Sequence, residues 1–209
     1  MRIAVIVTVV LTAGVSVAQP KPADFNPAPR FNVLFNERFY QQSTPKLALA
    51  AVIKAAELGQ YDYITAYLFD EATSNERIVE RAKAAEKGTE ADLRKLRAIE
   101  RADPFKPAVE NPLPIDPVAF AKRIEVEASY RGFYRVVAEI KERFEDDPSH
   151  LRELQKYLRD GELTQQDTTA KLTLKSEKGK AINFKKIGTR WFLEDRVVEA
   201  AAIVPETKN

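Results

Sequence analysis

The sequence predicts an α+β fold, with N-terminal helices packed on a C-terminal antiparallel sheet of three or more strands, and three observations carry the prediction. A cap residue followed by proline recurs at Thr44-Pro45, Asp116-Pro117 and Asp147-Pro148, each ahead of apolar residues spaced three and four apart. Threonine or aspartate accepts from the exposed N–H groups of a first turn, and proline there loses no hydrogen bond. From Thr168 to Ser176 the pattern changes to alternation, with Ala170, Leu172 and Leu174 on one face and Thr169, Lys171, Thr173 and Lys175 on the other. Period-two alternation marks a strand covered on one side, and the preceding helices must supply the cover.

The elements follow in order. Residues 1–18 read as a secretory signal peptide, with Arg2 as the basic start, an apolar run from Ile3 to Val17 and cleavage expected after Ala18. The run is shorter than the roughly 20 residues a spanning helix needs. The mature protein is therefore expected to be periplasmic or secreted, with no stable membrane insertion. Residues 19–43 form a lead-in, kept extended at its start by Pro20, Pro22, Pro27 and Pro29. Its aromatic end repeats Phe31, Phe35 and Phe39 every four residues, one helical face to pack on the body.

A single domain is expected over 44–204, followed by a tail at 205–209. Its first helix, 44–58, turns Leu49, Val52, Ile53 and Ala56 inward and stops at Gly59. Asp62 is placed to cap a short helix over 62–69 that buries Ile64, Tyr67 and Leu68. A charged helical-hairpin insertion follows at 74–102. Its two helices, about 75–87 and 90–102, are expected to part at Gly88, with capping-box spacings at Thr73/Glu76 and Thr89/Asp92. Its apolar stripe (Ile78, Ala82, Ala85, Leu93, Leu96, Ile99) is thin, so the hairpin is expected at the periphery.

Five prolines between Asp103 and Pro117 predict a stiff, extended crossing. The long helical stretch after Asp116 is interrupted near Gly132, and its second half, 133–145, buries Phe133, Val137, Ile140 and Phe144. The helix 148–160 turns Leu151, Leu154 and Leu158 inward and closes at Gly161. The sheet is a meander: strand 168–176, a turn at Gly179, a return strand with Ile182, Phe184 and Lys186, a turn at Gly188-Thr189 and a third strand 190–197 burying Trp191 and Leu193.

Composition removes several chemistries. The 209 residues contain no cysteine and one histidine, so disulfides, thiolate metal sites, iron–sulfur clusters and multi-histidine metal centres are excluded. A formal charge of +2, falling to +1 once Arg2 leaves with the leader, makes no electrostatic case for nucleic acid. There is no glycine-rich phosphate loop, no Gly-x-Ser-x-Gly turn and no His-Glu-x-x-His pair, and no cofactor is expected. His150 lies in the first turn of a predicted helix with no partner in view, and reads as a surface residue. Glu145-Asp146-Asp147 reads as a solvated helix end.

Thr44-Pro45 opening an Ala-rich helix, then Gly59-Gln60-Tyr61-Asp62 and an aromatic short helix, resembles the opening of nuclear-transport-factor-2-like domains of the cystatin-like α+β type. The ending, Gly188-Thr189-Arg190-Trp191-Phe192-Leu193 after a charged hairpin, is similar to the Gly-x-x-Trp strand that closes many secreted bacterial members. The resemblance spans about 44–70 and 165–197. It implies a strongly curved sheet wrapped around helices into a cone that can hold a ligand. Some members of that superfamily are isomerases, cyclases or dehydratases, and many are non-enzymatic binding or assembly domains. The chain departs from the pattern in having three evident strands and a large helical middle from about 73 to 160.

The candidate site residues form two groups. Trp191, Tyr134, Phe133 and Tyr67 could line a pocket, although core packing explains each as well. Lys171, Lys175 and Lys185 could align on the open sheet face as a patch for an anionic partner. The function expected is a non-enzymatic binding or interaction module whose partner is a protein or a small molecule. The alternative is a small-molecule enzyme or ligand carrier using a cone-shaped pocket.

Overall fold

The computed structural model describes residues 27–102, 116–177 and 179–194, and of residues 100–102 the backbone alone. The expected leader, the start of the lead-in, the proline-rich crossing over 103–115, the end of the third strand and the tail lie outside the described residues. The elements run α1 (Pro45–Glu57), α2 (Tyr61–Tyr63) continuing into a π-helical turn (Ile64–Leu68), α3 (Glu71–Ala102), α4 (Pro117–Glu145), α5 (Pro148–Asp160), then β1 (Glu162–Gln165), β2 (Thr169–Thr173), β3 (Ala181–Ile187) and β4 (Arg190–Leu193). The fold is α+β, helices first and sheet last.

All three cap-plus-proline starts form. Thr44 accepts from Leu47 N at 3.2 Å, Asp116 from Val118 N at 2.9 Å and Asp147 from Ser149 N at 2.9 Å. The end of α1 is a Schellman motif: Gln60 N donates to Ala55 O at 2.8 Å and Gly59 N to Ala56 O at 3.0 Å, with Gly59 at φ +68°. The next turn corrects one expectation. The N-cap of α2 is Gln60, and Asp62 sits inside the first turn, where its carboxylate accepts from Tyr63 N at 2.8 Å.

The charged insertion is not a hairpin. It is one 32-residue helix, α3, that runs through Gly88, and Asp70 rather than Thr73 caps it, accepting from Thr73 N and Oγ1 at 3.3 and 3.0 Å. Gly88 costs about 1 kcal/mol of helix propensity. That cost is outweighed because α3 lies antiparallel against the equally continuous α4, burying Ile78, Thr89 and Leu93 in the seam. Gly132 does not break α4 either. It marks the closest approach of the two helices, where a Cβ would stand 2.4 Å from Ile78 O and 2.8 Å from Ala82 N. The insertion packs along α4 and joins the main core through Ile78, while Leu93 is buried against α4 outside that core.

Beside that contact, Glu139 on α4 accepts from Arg77 at 3.0 Å and from Arg81 at 2.7 Å. Burial works to raise the Glu139 pKa, but the hydrogen bonds and charges of Arg81 and Arg77 outweigh it and hold the carboxyl below its ordinary value. A depressed pKa contributes stability that is present above the unfolded-state value and lost as pH falls through the folded-state one. Glu139→Gln is expected to cost about 1–2 kcal/mol at neutral pH. The same change should flatten the acid side of the stability profile, a difference that urea melts between neutral pH and pH 3 will register.

The sheet is a four-stranded antiparallel meander in the order β1-β2-β3-β4, one strand more than the alternation revealed. The added β1 (Glu162–Gln165) is polar and exposed along its length, as suits an edge strand. Across the inner face Ala170 pairs with Phe184 and Phe184 with Leu193, and Leu172 pairs with Ile182. These side chains meet Leu49, Val52, Ile64, Phe133, Ile140 and Trp191 in one core.

The open edge of β4 is closed by non-strand residues. Phe69 makes a parallel bridge to Leu193, and Asp70 N donates to Leu193 O at 2.9 Å. Further along, Gln42 O accepts from Trp191 N at 2.8 Å while Gln42 Nε2 donates to Trp191 O at 2.9 Å.

The aromatic lead-in is not helical. Arg30 to Val33 form a tight turn with Phe31 at φ +49° and Asn32 at φ +64°, the φ signs of a type I′ turn. A left-handed phenylalanine is unfavourable, and it is held by stacking on Phe133 at 4.3 Å and an edge contact with Tyr130 at 5.7 Å. Phe35 packs on Tyr67, whereas Phe39 is exposed beneath the Lys54 ammonium.

Candidate functional site

Only Asp146 and Asp147 separate α4 from α5, so the chain reverses sharply and brings the end of α4 and the start of α5 to the same mouth. Between these helices and strands β3 and β4 lies a cleft of about 320 Å³. Its floor is apolar: Ile140 and Phe144 from α4, Leu154 and Tyr157 from α5, Ile182 from β3 and Leu193 from β4. Ionisable groups stand at its rim, among them Arg143, His150, Glu153, Lys180 and Glu194.

Part of that rim is internally paired. Lys180 Nζ lies 3.6 Å from Glu153 Oε1, and His150 Nε2 lies 3.7 Å from Asp147 Oδ2. Tyr157 on the floor is 2% exposed. Burial raises its pKa, and the negative charges of Glu177 and Glu153 act in the same direction, so its phenol stays protonated at neutral pH. The site thus offers an apolar chamber of the size a small ligand or a single large side chain needs, with charges confined to the entrance.

The four aromatic residues singled out in the sequence are not brought together here. Phe133 and Trp191 are fully buried core anchors. Tyr134 is 55% exposed on the outside of α4 and lines neither this cleft nor the one at the β3–β4 turn. Its position one residue past Phe133 turns it 100° away from the buried stripe. Tyr67 is buried and lines a separate cleft of about 420 Å³ beside the β3–β4 turn. There its hydroxyl accepts from Arg30 N at 3.0 Å and donates to Val33 O at 2.8 Å.

The lysine patch is largely compensated by the protein itself. Lys175 pairs with Glu162 at 2.7 Å across the β1–β2 hairpin. Lys185 pairs at 3.3 Å with Oδ1 of the buried Asp70, in a geometry that makes no hydrogen bond. Of the three, Lys171 makes no ion pair among the described residues.

Sequence reasoning missed the α5 wall of the cleft although its signal was present: His150, Leu154 and Tyr157 are spaced i, i+4, i+7 and share one helical face. Among the described residues no group of three or more His, Asp or Glu is placed to hold a metal, and no helix is long and apolar enough to cross a membrane. Comparisons with protein-family models, with curated proteins and with solved structures find no match to this chain.

Proposed function

We propose that the protein is a non-enzymatic binding module acting outside the cytoplasm, and that the cleft between α4, α5 and the sheet takes a compact apolar group. The observation that carries this reading is the separation of chemistry within the cleft. The floor is built from six apolar or aromatic side chains, and the charged groups stand at the rim. Buried apolar contact supplies affinity at about 25 cal/mol per Å², without any group activated for proton transfer. The secretory leader and the kinship to nuclear-transport-factor-2-like domains belong to the same proposal and rest on the sequence patterns alone.

The reading is tested with 1-aminoanthracene as an apolar fluorescent probe. Wild-type protein is expected to bind it at micromolar concentration. Leu154→Trp, which fills the cleft from α5, is expected to weaken binding at least tenfold while leaving the thermal midpoint within a few degrees. Equal binding by the filled variant would remove the cleft from consideration.

A further inference from the structure

Arg190 begins β4 directly after the Gly188-Thr189 turn, and its guanidinium is fixed on several sides. Nε donates to Gln42 Oε1 at 3.1 Å, and Nη2 donates to the same oxygen and to Tyr67 O at 3.3 Å. The group also lies 4.3 Å from the ring centroid of Phe35 and 4.9 Å from that of Phe192. Every one of these partners is uncharged. Among the described residues no carboxylate lies within ion-pair distance of Arg190, and Nη1 makes no hydrogen bond although it is not sealed from solvent.

A partly buried cation without a counter-charge is costly, and the two rings recover part of the cost through cation–π attraction. Burial pushes the Arg190 pKa down, against the longer-range pull of Tyr63, Glu37, Tyr67 and Glu71, yet a guanidinium remains charged throughout the physiological range. It lines the 420 Å³ cleft together with Arg30, Ile187, Thr189 and Phe192. Glu71, also in that wall, is engaged by Arg30 at 3.9 Å. Arg30 itself is committed through its two terminal nitrogens to Ala66 O and Asn75 Oδ1. The cation left to recognise a ligand is Arg190.

We propose that this second cleft binds a small organic carboxylate, its anionic end on Arg190 Nη1 and its apolar body against Ile187 and Phe192. A single free guanidinium nitrogen suits a monoanion, and the nearby Glu71 disfavours a dianion such as phosphate. The proposal stands independently of the α4–α5 cleft, because the two share no lining residue.

The experiment uses the full chain and three probes, benzoate, benzamide and inorganic phosphate, followed by amide chemical-shift titration. Benzoate at millimolar concentration is expected to shift Gly188, Thr189 and Arg190. Benzamide, which has the same shape without the charge, is expected to bind at least tenfold more weakly, and phosphate should bind more weakly than benzoate. Thr189→Trp blocks the mouth from an exposed turn without touching the Arg190 hydrogen bonds. It should lower benzoate affinity at least tenfold at an unchanged thermal midpoint. The proposal is overturned by any of four results: no benzoate-induced shifts, benzamide or phosphate binding as tightly as benzoate, shifts centred on His150 and Leu154 instead, or full binding by Thr189→Trp.

Discussion

Replacing Gln42 with leucine is expected to destabilise the protein by about 3–5 kcal/mol, because the side chain satisfies three other groups at once. Gln42 is 1% exposed and lies in the irregular segment ahead of α1, with no repeating pattern to announce it. Its amide nitrogen donates to Tyr67 O at 3.1 Å and to Trp191 O at 2.9 Å, and its amide oxygen accepts from Arg190. Its backbone oxygen meanwhile accepts from Trp191 N at 2.8 Å, so the residue stands in for a fifth strand at the edge of β4.

Leucine has a similar volume but would leave Trp191 O and part of the Arg190 guanidinium without partners, and Tyr67 O with only the 3.3 Å bond from Arg190 Nη2. Each such group costs about 1–3 kcal/mol when stranded. Gln42→Glu keeps the shape and turns the Arg190 contact into an ion pair, but sets an acceptor oxygen against Tyr67 O and Trp191 O where the amide donated, so it should also destabilise, by about 1–3 kcal/mol. Urea denaturation at constant m-value measures both variants. A leucine variant within about 1 kcal/mol of wild type would show that water or a rearranged β4 edge replaces the amide.

The legible parts of the fold were those written in local chemistry. Thr44-Pro45, Asp116-Pro117 and Asp147-Pro148 each open a helix where the cap and the proline stand, since both act within one turn. The β2 alternation likewise states which side chains face inward, and Ala170, Leu172 and Leu174 are buried. What the sequence did not disclose was set by partners distant in the chain. β1 carries no alternation because neither of its faces is covered, and only pairing with β2 makes it a strand.

The clefts were illegible for the same reason. His150, Leu154 and Tyr157 announce a helical face, but that the face stands clear of α4 over a chamber is decided by tertiary packing. Arg190 reads as one more cation among lysines. Its lack of a counter-charge follows from the company of Gln42, Tyr67 and Phe35, which lie 123 to 155 residues away in the chain.

The second large effect is expected at Gly132, and its sign can be set against another helical glycine. A Cβ at Gly132 would meet Ile78 O at 2.4 Å, Ala82 N at 2.8 Å and Ala82 Cα at 3.1 Å, all backbone atoms of α3 that no rotamer change can move aside. Gly132→Ala gains about 1 kcal/mol of helix propensity but forces the α3 and α4 axes apart against a close-packed core. Overpacking of this kind costs about 1–3 kcal/mol, so a modest net loss is expected.

Gly132→Leu should cost about 3–5 kcal/mol, because separation at this point also breaks the Glu139 contacts with Arg77 and Arg81 and opens the seam around Thr89 and Ala128. Gly88→Ala is the control. Nothing lies within 4 Å of its added carbon, and it sits inside the same continuous α3, so it should stabilise by about 0.5–1 kcal/mol. Thermal unfolding of the three variants separates two accounts of these glycines. If both were helix breakers, alanine would stabilise at each. If Gly132 is the contact that lets α3 and α4 touch backbone to backbone, alanine lowers the midpoint there and raises it at Gly88.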